Sequence, residues 1–244
     1  MTRPLIFIGS RQKMGRLALV ADTLNIKING ILDHHLYGNL DSITDIPVIG
    51  DERWLLDKQN TQAQEWIHTC DFFVANWWNG SQILDKNSID LQLLRQQRIQ
   101  VAEEADVNVI NLIHPNSQPK FANSRYADLS IGKGLFVDDD VWISVDDVSL
   151  GDYCCVATGS KIVHHTHIGN NVIIAPEAYI YNCNIGDDSY FGMFSRINVT
   201  RKKTDNITIG KNCTVWSDST VVKNVPNDSI YTDTNRVLKK VKFK

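Results

Sequence analysis

The stretch VATGSKIVHHTHIGNNVIIAPEAYIYNCNIGDDSYFGMFSRI, residues 156–197, places an aliphatic or aromatic residue at about every sixth position. The spacing extends to both sides, with exceptional steps of seven, five and twelve residues, and its members are Ile131, Val137, Ile143, Leu150, Val156, Ile162, Ile168, Ile174, Ile180, Ile185, Phe191, Ile197, Ile209, Val215 and Val221. A hexapeptide repeat grouped in threes is typical of a β-helix, in which successive coils stack about 4.8 Å apart. A β-sandwich would instead alternate with a period of two. We therefore predict an all-β parallel β-helix whose inward residues form one core.

Glycine directly follows several of these residues, at Gly132, Gly151, Gly169, Gly186, Gly192 and Gly210. The Ile-Gly and Leu-Gly pairs that begin at positions 131, 150, 168 and 185 are 17 to 19 residues apart. Three hexapeptides make one coil of that length, so each pair marks the same point of successive coils. A single coil cannot bury its apolar side alone, and its stability depends on its neighbours.

The residues up to about Asp106 follow a different pattern. Short apolar runs over 5–9, 28–33, 70–76 and 107–113 predict strands. Apolar residues at helical spacing predict one helix over 17–24 and another from about Ser88. Strands that alternate with helices indicate βαβ units and a small parallel sheet. The boundaries we predict are 1–110 for an α/β domain, 111–230 for the β-helix and 231–244 for a C-terminal tail.

Composition limits the function classes. The chain has 244 residues, a net charge of −3 and 43% hydrophobic residues, which argues for a globular protein and against nucleic-acid binding. No apolar run approaches the roughly 20 residues of a membrane-spanning helix, and the run Leu5–Ile8 is too short for a signal peptide. The five cysteines lack the spacing of a zinc site. We therefore expect reduced thiols, no membrane association and a cytoplasmic location.

Several motifs resemble those of a known family. They are IFIGSRQKMGRLALVADTL (6–24), ILDHH (31–35), IPVIGD (46–51), FFVAN (72–76), NLIHP (111–115), VATGSKIVHHTHIG (156–169) and KNVPNDSI (223–230). In this order they resemble the bacterial sugar O- and N-acetyltransferases with a left-handed β-helix, of the sialic-acid O-acetyltransferase and UDP-4-amino-sugar N-acetyltransferase type. The resemblance implies a Rossmann-like N-terminal domain that binds a nucleotide-sugar, then a left-handed parallel β-helix that uses acetyl-CoA as co-substrate. It also implies a homotrimer in surface-glycan biosynthesis, with active sites between neighbouring β-helices.

The resemblance assigns catalysis to the segment around His164. His164 matches the catalytic histidine, and His165 stands where the family places the carboxylate that orients it. An unperturbed imidazole titrates at about pH 6.5 and suits a general base near neutral pH. Because His164 follows the inward Ile162 by two residues, we expect it at the coil surface. The other interpretation is a solvated rim of three histidines, and we expect no metal because at most two of them would converge.

Substrate-binding residues are predicted in both halves. The turn with Gly9, Lys13 and Gly15 precedes a helix and would bind phosphate, and Asp33 would bind a ribose hydroxyl, although both could be purely structural. The resemblance implies that CoA contacts four residues of the β-helix domain, namely Phe191, Gly192, Ser195 and Lys223. Trp77 and Trp78 could stack on a base or a sugar, although packing at a domain interface is the commoner role. The basic residues 201–203 could contact CoA phosphates, although a solvated loop is the commoner role.

These observations predict transfer of an acetyl group from acetyl-CoA to an amino or hydroxyl group of a sugar that is linked to a nucleotide. The alternative is a non-catalytic trimeric relative that binds a nucleotide-sugar or a partner protein. It is favoured by departures from the family motif at Ala157, His165 and Ile173. A further departure is the Asp233–Asn235 segment, where the family has a Gly-Asn-Pro-Ala segment that approaches CoA.

Overall fold

The computed structural model describes residues 2–9, 14–36, 45–75, 86–117, 128–197 and 206–239. The chain divides into two compact units, Met1–Leu112 and Ile113–Lys244, and each is described by itself. The features predicted at Lys13, Trp77, Trp78 and residues 201–203 lie outside the described residues.

Unit 1 contains a four-stranded parallel sheet with the order β3-β2-β1-β4. Its strands are β1 (Leu5–Ile8), β2 (Ile28–Leu32), β3 (Val48–Gly50) and β4 (Asp71–Val74). The helices are α1 (Met14–Thr23), α2 (Thr61–Thr69), α3 (Lys86–Glu104) and a 3₁₀ helix over Glu52–Leu56. The parallel sheet is confirmed, although the sequence did not predict β3 or α2. The strand expected over 107–113 is shorter, since only β5 (Leu112–Ile113) forms and Val109 makes an isolated bridge to Phe72.

The local sequence accounts for these elements. All four residues of β1 are buried, as expected for a parallel strand that is covered on both faces. In α1 the buried residues are Met14, Leu17, Val20 and Ala21, which lie on one face of the helix. The helix α2 begins after Asn60, whose side-chain oxygen accepts a hydrogen bond from the backbone N–H of Ala63 at 3.0 Å.

Unit 2 is a stack of coils whose strands form three sheets. The first sheet contains β6 (Leu129–Ile131), β9 (Val148–Leu150), β12 (Thr166–Ile168), β15 (Cys183–Ile185) and β18 (Ile207–Ile209). The second contains β8 (Trp142–Ile143), β11 (Lys161–Ile162), β14 (Tyr179–Ile180), β17 (Arg196–Ile197) and β20 (Thr220–Val221). The third contains β5, β7 (Phe136–Val137), β10 (Cys155–Val156), β13 (Ile173–Ile174), β16 (Tyr190–Phe191), β19 (Thr214–Val215), β21 (Ser229–Tyr231) and β22 (Val237–Lys239). The pairs between successive coils from β6 to β21 are parallel, whereas β22 runs antiparallel beside β21.

The hexapeptide positions form the core of unit 2. Every predicted position from Val137 to Val221 belongs to one buried cluster, and Ile131 packs against it. Burial of one such aliphatic side chain contributes about 1.5–3 kcal/mol, so the continuous column is the main source of stability in the stack. The inward orientation of the repeat is therefore confirmed.

Two backbone features explain the polar residues of the repeat. At the corners between sheets, residues such as Asp147, His165 and Asn182 adopt a left-handed conformation with φ of 47–56°. Asparagine and aspartate tolerate this region better than most residues, which explains their frequency at the corners. The glycine that follows the inward residue is required for a different reason. At Gly151, the Asn170 side chain occupies the space that a Cβ would need.

None of the described helices is both long and apolar enough to cross a membrane.

Candidate active site

The corner between the second and first sheets holds the predicted catalytic histidines. It contains four residues between β8 and β9, three between β11 and β12, and two between β14 and β15. The step of seven from Ile143 to Leu150 and the step of five from Ile180 to Ile185 both fall here. The irregular steps of the repeat therefore mark the corner at which Asp146 and Asp147, then His164 and His165, then Tyr181 and Asn182 follow one another on successive coils.

Asp147 connects two of the histidines. Its Oδ2 lies 2.7 Å from Nδ1 of His165, and its Oδ1 lies 3.5 Å from Nε2 of His167. Nδ1 of His167 in turn lies 3.1 Å from Oγ of Ser149. The side chains of His165 and Asp147 are 50% and 42% exposed, so the pair faces solvent. The carboxylate that the sequence lacks beside His164 is therefore present on the preceding coil, where it contacts His165.

His164 has different surroundings. It is half-buried, where the sequence predicted a position at the surface of the coil. Its ring packs edge-to-face against His165 and Tyr181, with centroid separations of 4.8 and 4.9 Å. Its Nδ1 is buried, and no group in the described part of the chain hydrogen-bonds to it. The two adjacent histidines are thus distinct chemically, since only His165 has an orienting partner at Nδ1.

Asp146 completes the corner. Single ligand atoms of Asp146, His164 and His165 all lie within 4.8 Å of one another, a spacing that a metal ion could use. The sequence analysis missed both Asp146 and Asp147. The signal that could have found them is the coil length, because each lies 18 residues before a histidine of the corner and β9 pairs with β12 in that register.

Cys183 begins the strand after the corner and is completely buried. Burial raises the pKa of its thiol far above the usual range, and the Thr166 hydroxyl opposes this only in part. The thiol therefore stays protonated near neutral pH and is a poor nucleophile, since the thiolate is the reactive form.

The residues expected to contact CoA are not equivalent. Phe191 is fully buried in the core, so a contact there would have to come from its backbone. A Cβ on Gly192 would collide with the backbone of Ser217, which means that two coils pack tightly at this point. Ser195 is also fully buried, whereas Lys223 is exposed. The CoA assignment of these four residues stays a prediction.

In unit 1, Asp33 lies at the carboxyl end of β2 within a buried group of charges. Its Oδ2 lies 2.9 Å from Nη2 of Arg98, and both side chains are 1% exposed. Arg98 also donates from Nε to Glu52 at 3.0 Å, and Nδ1 of His34 lies 2.6 Å from the same Glu52 oxygen. The sequence analysis missed Glu52 and Arg98, because their pairing depends on how α3 packs. The ribose contact expected of Asp33 stays a prediction for a carboxylate that already has an ion-pair partner.

Gly9 and Gly15, two further predicted residues of unit 1, lie directly after β1 and in α1. Gly9 follows β1 with a φ of 87°, a conformation that favours glycine, and its N–H donates to Leu32 at 2.7 Å. Gly15 lies in the first turn of α1. A cavity of about 560 Å³ in the same unit is lined by Arg3, Lys58 and His68 among others, and none of the predicted substrate residues contributes to it.

No protein-family model matches the sequence. Among curated proteins, the bifunctional protein GlmU of Baumannia cicadellinicola subsp. Homalodisca coagulata is 26% identical over 167 residues. The match covers 64% of this chain and 35% of GlmU, so the chain spans about a third of the length of that relative.

Solved structures match almost the whole chain. PerB from Caulobacter crescentus, in complex with CoA and GDP-perosamine, has a TM-score of 0.72 at 20% identity, with 96% of each chain covered. The acetyltransferase domain of PglB from Neisseria gonorrhoeae has a TM-score of 0.71 at 22% identity, covering 95% of this chain and 97% of its own. WeeI from Acinetobacter baumannii has a TM-score of 0.71 at 17% identity, covering 97% and 100%. The chain therefore has the fold of the hexapeptide-repeat sugar acetyltransferases, and its many parallel strands fit their left-handed β-helix.

Proposed function

We propose that this protein transfers an acetyl group from acetyl-CoA to an amino or hydroxyl group of a sugar that is linked to a nucleotide. The observation that carries the proposal is the histidine–aspartate corner, where Asp147 lies 2.7 Å from the His165 imidazole on the next coil. Acyl transfer from a thioester needs a base that takes a proton from the attacking group, and an imidazole with an orienting carboxylate suits that task. The full-length likeness to sugar acetyltransferases supports this chemistry over other uses of such a pair.

The two units would bind different substrates. Unit 1, with a parallel sheet of order β3-β2-β1-β4, would be a Rossmann-like domain, and in such sheets ligands bind at the carboxyl ends of the strands. Gly9, Lys13 and Gly15 would then approach the diphosphate of the nucleotide-sugar, as the start of a helix favours anions. The β-helix domain would bind acetyl-CoA and carry the base. From this division of roles we propose the domain limits 1–110, 111–230 and 231–244. We also propose that the reaction takes place in the cytoplasm.

We propose that the protein acts as a homotrimer. The outward row of the second sheet includes Trp142 and Tyr179, which are 51% and 42% exposed in the isolated chain. Exposed large aromatic side chains on one face favour association with another protein surface. A trimer of parallel stacks would cover this face.

The direct test is a screen of amino-sugar nucleotides with acetyl-CoA, read by mass spectrometry for the gain of one acetyl group. A parallel measurement is the melting temperature with acetyl-CoA, because a ligand at 100 times its Kd stabilises the native state by about 2.7 kcal/mol. Turnover of at least one sugar supports the proposal. No turnover and no thermal shift at millimolar acetyl-CoA would contradict it and favour a non-catalytic binding protein.

The role of unit 1 has a separate test. A valine at Gly15, in the first turn of α1, would crowd the approach of a diphosphate. Gly15→Val should raise the KM for the nucleotide-sugar and leave the affinity for acetyl-CoA unchanged. Equal affinity for the nucleotide-sugar in both proteins, measured by calorimetry, would exclude phosphate binding at this turn.

A further inference from the structure

Asp147 and His165 lie at equivalent corner positions of consecutive coils. Both adopt the left-handed conformation, with φ of 52° and 56°. The carbonyl of Asp147 accepts from the N–H of Thr166, and the carbonyl of His165 accepts from the N–H of Cys183, both at 3.1 Å. The backbone of each residue is therefore held by the next coil, and the stacking of the coils fixes where the two side chains meet.

The contact leaves one nitrogen of His165 available. Because Nδ1 lies 2.7 Å from the Asp147 carboxylate, it holds the proton in the neutral ring, and Nε2 has a free lone pair. The half-exposed ring can present that nitrogen to a bound molecule. His164 lacks this arrangement, since its Nδ1 is buried without a hydrogen-bond partner in the described residues.

We propose that His165 is the general base of the acetyl transfer and that Asp147 of the preceding coil is its positioning residue. The inference rests on the proposed function. It moves the role of the base from His164, where the resemblance placed it, to the neighbouring imidazole. His164 then contacts both His165 and Tyr181 and supports the orientation of the His165 ring by packing.

The reaction balances with these groups alone. The lone pair of the amino or hydroxyl group of the sugar forms a bond to the thioester carbonyl carbon, and the carbonyl π pair moves to oxygen. Nε2 of His165 takes the proton of the attacking group. When the carbonyl re-forms, the carbon–sulfur bond breaks, its electron pair goes to sulfur, and the imidazolium returns the proton to give the CoA thiol. Asp147 accepts the hydrogen bond from Nδ1 of His165 throughout and stabilises the imidazolium between the two steps.

The test compares Asp147→Asn with Asp140→Asn. Asp140 is an exposed aspartate at another left-handed corner of the same coil, so it controls for charge and backbone conformation. Asp147→Asn should lower kcat by about tenfold or more, up to the roughly 10⁴-fold loss known for an orienting carboxylate, with both KM values unchanged. Asp147→Glu should recover part of the rate, and Asp140→Asn should behave as the wild type.

The split between kcat and KM separates positioning from a structural effect. A positioning role lowers kcat in Asp147→Asn, leaves both KM values and the melting temperature unchanged, and lets Asp147→Glu recover part of the rate. A purely structural defect would change the melting temperature and the KM values. Loss of a base costs about 10²–10⁴ in rate, so His165→Ala should lose more turnover than His164→Ala.

The outcomes distinguish the two proposals. A wild-type protein that acetylates no sugar nucleotide overturns the proposed function and with it this inference. An active wild type with unchanged kcat in Asp147→Asn overturns the inference alone. A greater loss in His164→Ala than in His165→Ala does the same, and this comparison decides the matter if Asp147→Asn fails to fold.

Discussion

Asp187 Oδ1 accepts a hydrogen bond at 2.9 Å from the backbone N–H of Asn170, one coil earlier, and in doing so fills the space in which Gly169 would carry a Cβ. The same relationship joins Asp152 to Gly132 and Asn170 to Gly151. The glycine and the aspartate or asparagine therefore act together. The Asp or Asn side chain of one coil accepts a hydrogen bond from a backbone N–H of the preceding coil, and the glycine leaves room for it.

Gly169→Ala is expected to destabilise unit 2. The added methyl would collide with the side chain and the backbone of Asp187, and overpacking of this kind costs about 1–3 kcal/mol. Urea unfolding measures the loss. Asp187→Ala removes part of the collision. In a double-mutant cycle, the double mutant should therefore lose less free energy of unfolding than the sum of the two single-mutant losses. Strict additivity would contradict the direct contact.

Asp187→Asn is expected to change how stability depends on pH. The Lys211 ammonium, 2.7 Å from Asp187, lowers the pKa of this carboxyl below its ordinary value, with a further contribution from the Asn170 N–H and an opposing one from burial. A depressed folded-state pKa contributes stability above the unfolded pKa that disappears as the pH falls through the folded value. The carboxylate is partly exposed, so we expect less than about 1 kcal/mol.

The measurement is the unfolding midpoint of wild type and Asp187→Asn between neutral and acid pH. The wild-type advantage should be present at pH 7 and shrink in acid. An advantage that grows as the pH falls would show that the sign is wrong.

Phe191→Ala and Phe194→Ala form a matched pair in one coil. Phe191 is completely buried in the core, whereas Phe194 is 48% exposed at a corner. We expect a loss of about 3–5 kcal/mol for Phe191→Ala and less than about 0.5 kcal/mol for Phe194→Ala by chemical denaturation. A large loss at Phe194 would mean that its ring is covered in an assembly.

The proposed trimer predicts a mass three times the 27.6 kDa of the chain by light scattering at micromolar concentration. Trp142→Ser should raise the concentration at which the trimer dissociates, because it removes an exposed aromatic ring from the second sheet. Leu19→Ser, at an exposed leucine of unit 1, is the control and should leave the mass unchanged. A monomeric wild type would contradict the trimer and exclude an active site between subunits.

The sequence predicted the β-helix core because its signal is periodic and each inward position is buried in the same way. It missed β3 and α2 for the opposite reason. β3 has only three residues, and of the nine residues of α2 only Ala63 and Trp66 are buried, too few to give a helical period.

The site was predicted in part. His164 and His165 follow from the motif, but Asp147 lies 18 residues away and meets His165 only through the register of the coils. Because the corner shortens from four residues to two over three coils, a simple count of hexapeptides does not reveal which residues face each other there. The Arg98–Asp33 pair in unit 1 was missed for a related reason, since it depends on tertiary packing.

The antiparallel strand β22 bears on whether further coils can be added to the stack. A parallel coil leaves an unpaired edge on which another coil could pair, and repetition of that event would give a filament. In the third sheet the edge of β21 is covered by β22, which runs in the opposite direction. Ser229 of β21 pairs with Lys239 of β22, and Tyr231 pairs with Val237. A second molecule that approaches along the axis of the stack therefore meets at this sheet a strand of the wrong polarity that ends near a charged side chain. The reversed strand therefore disfavours the addition of a further parallel coil at this edge of the third sheet.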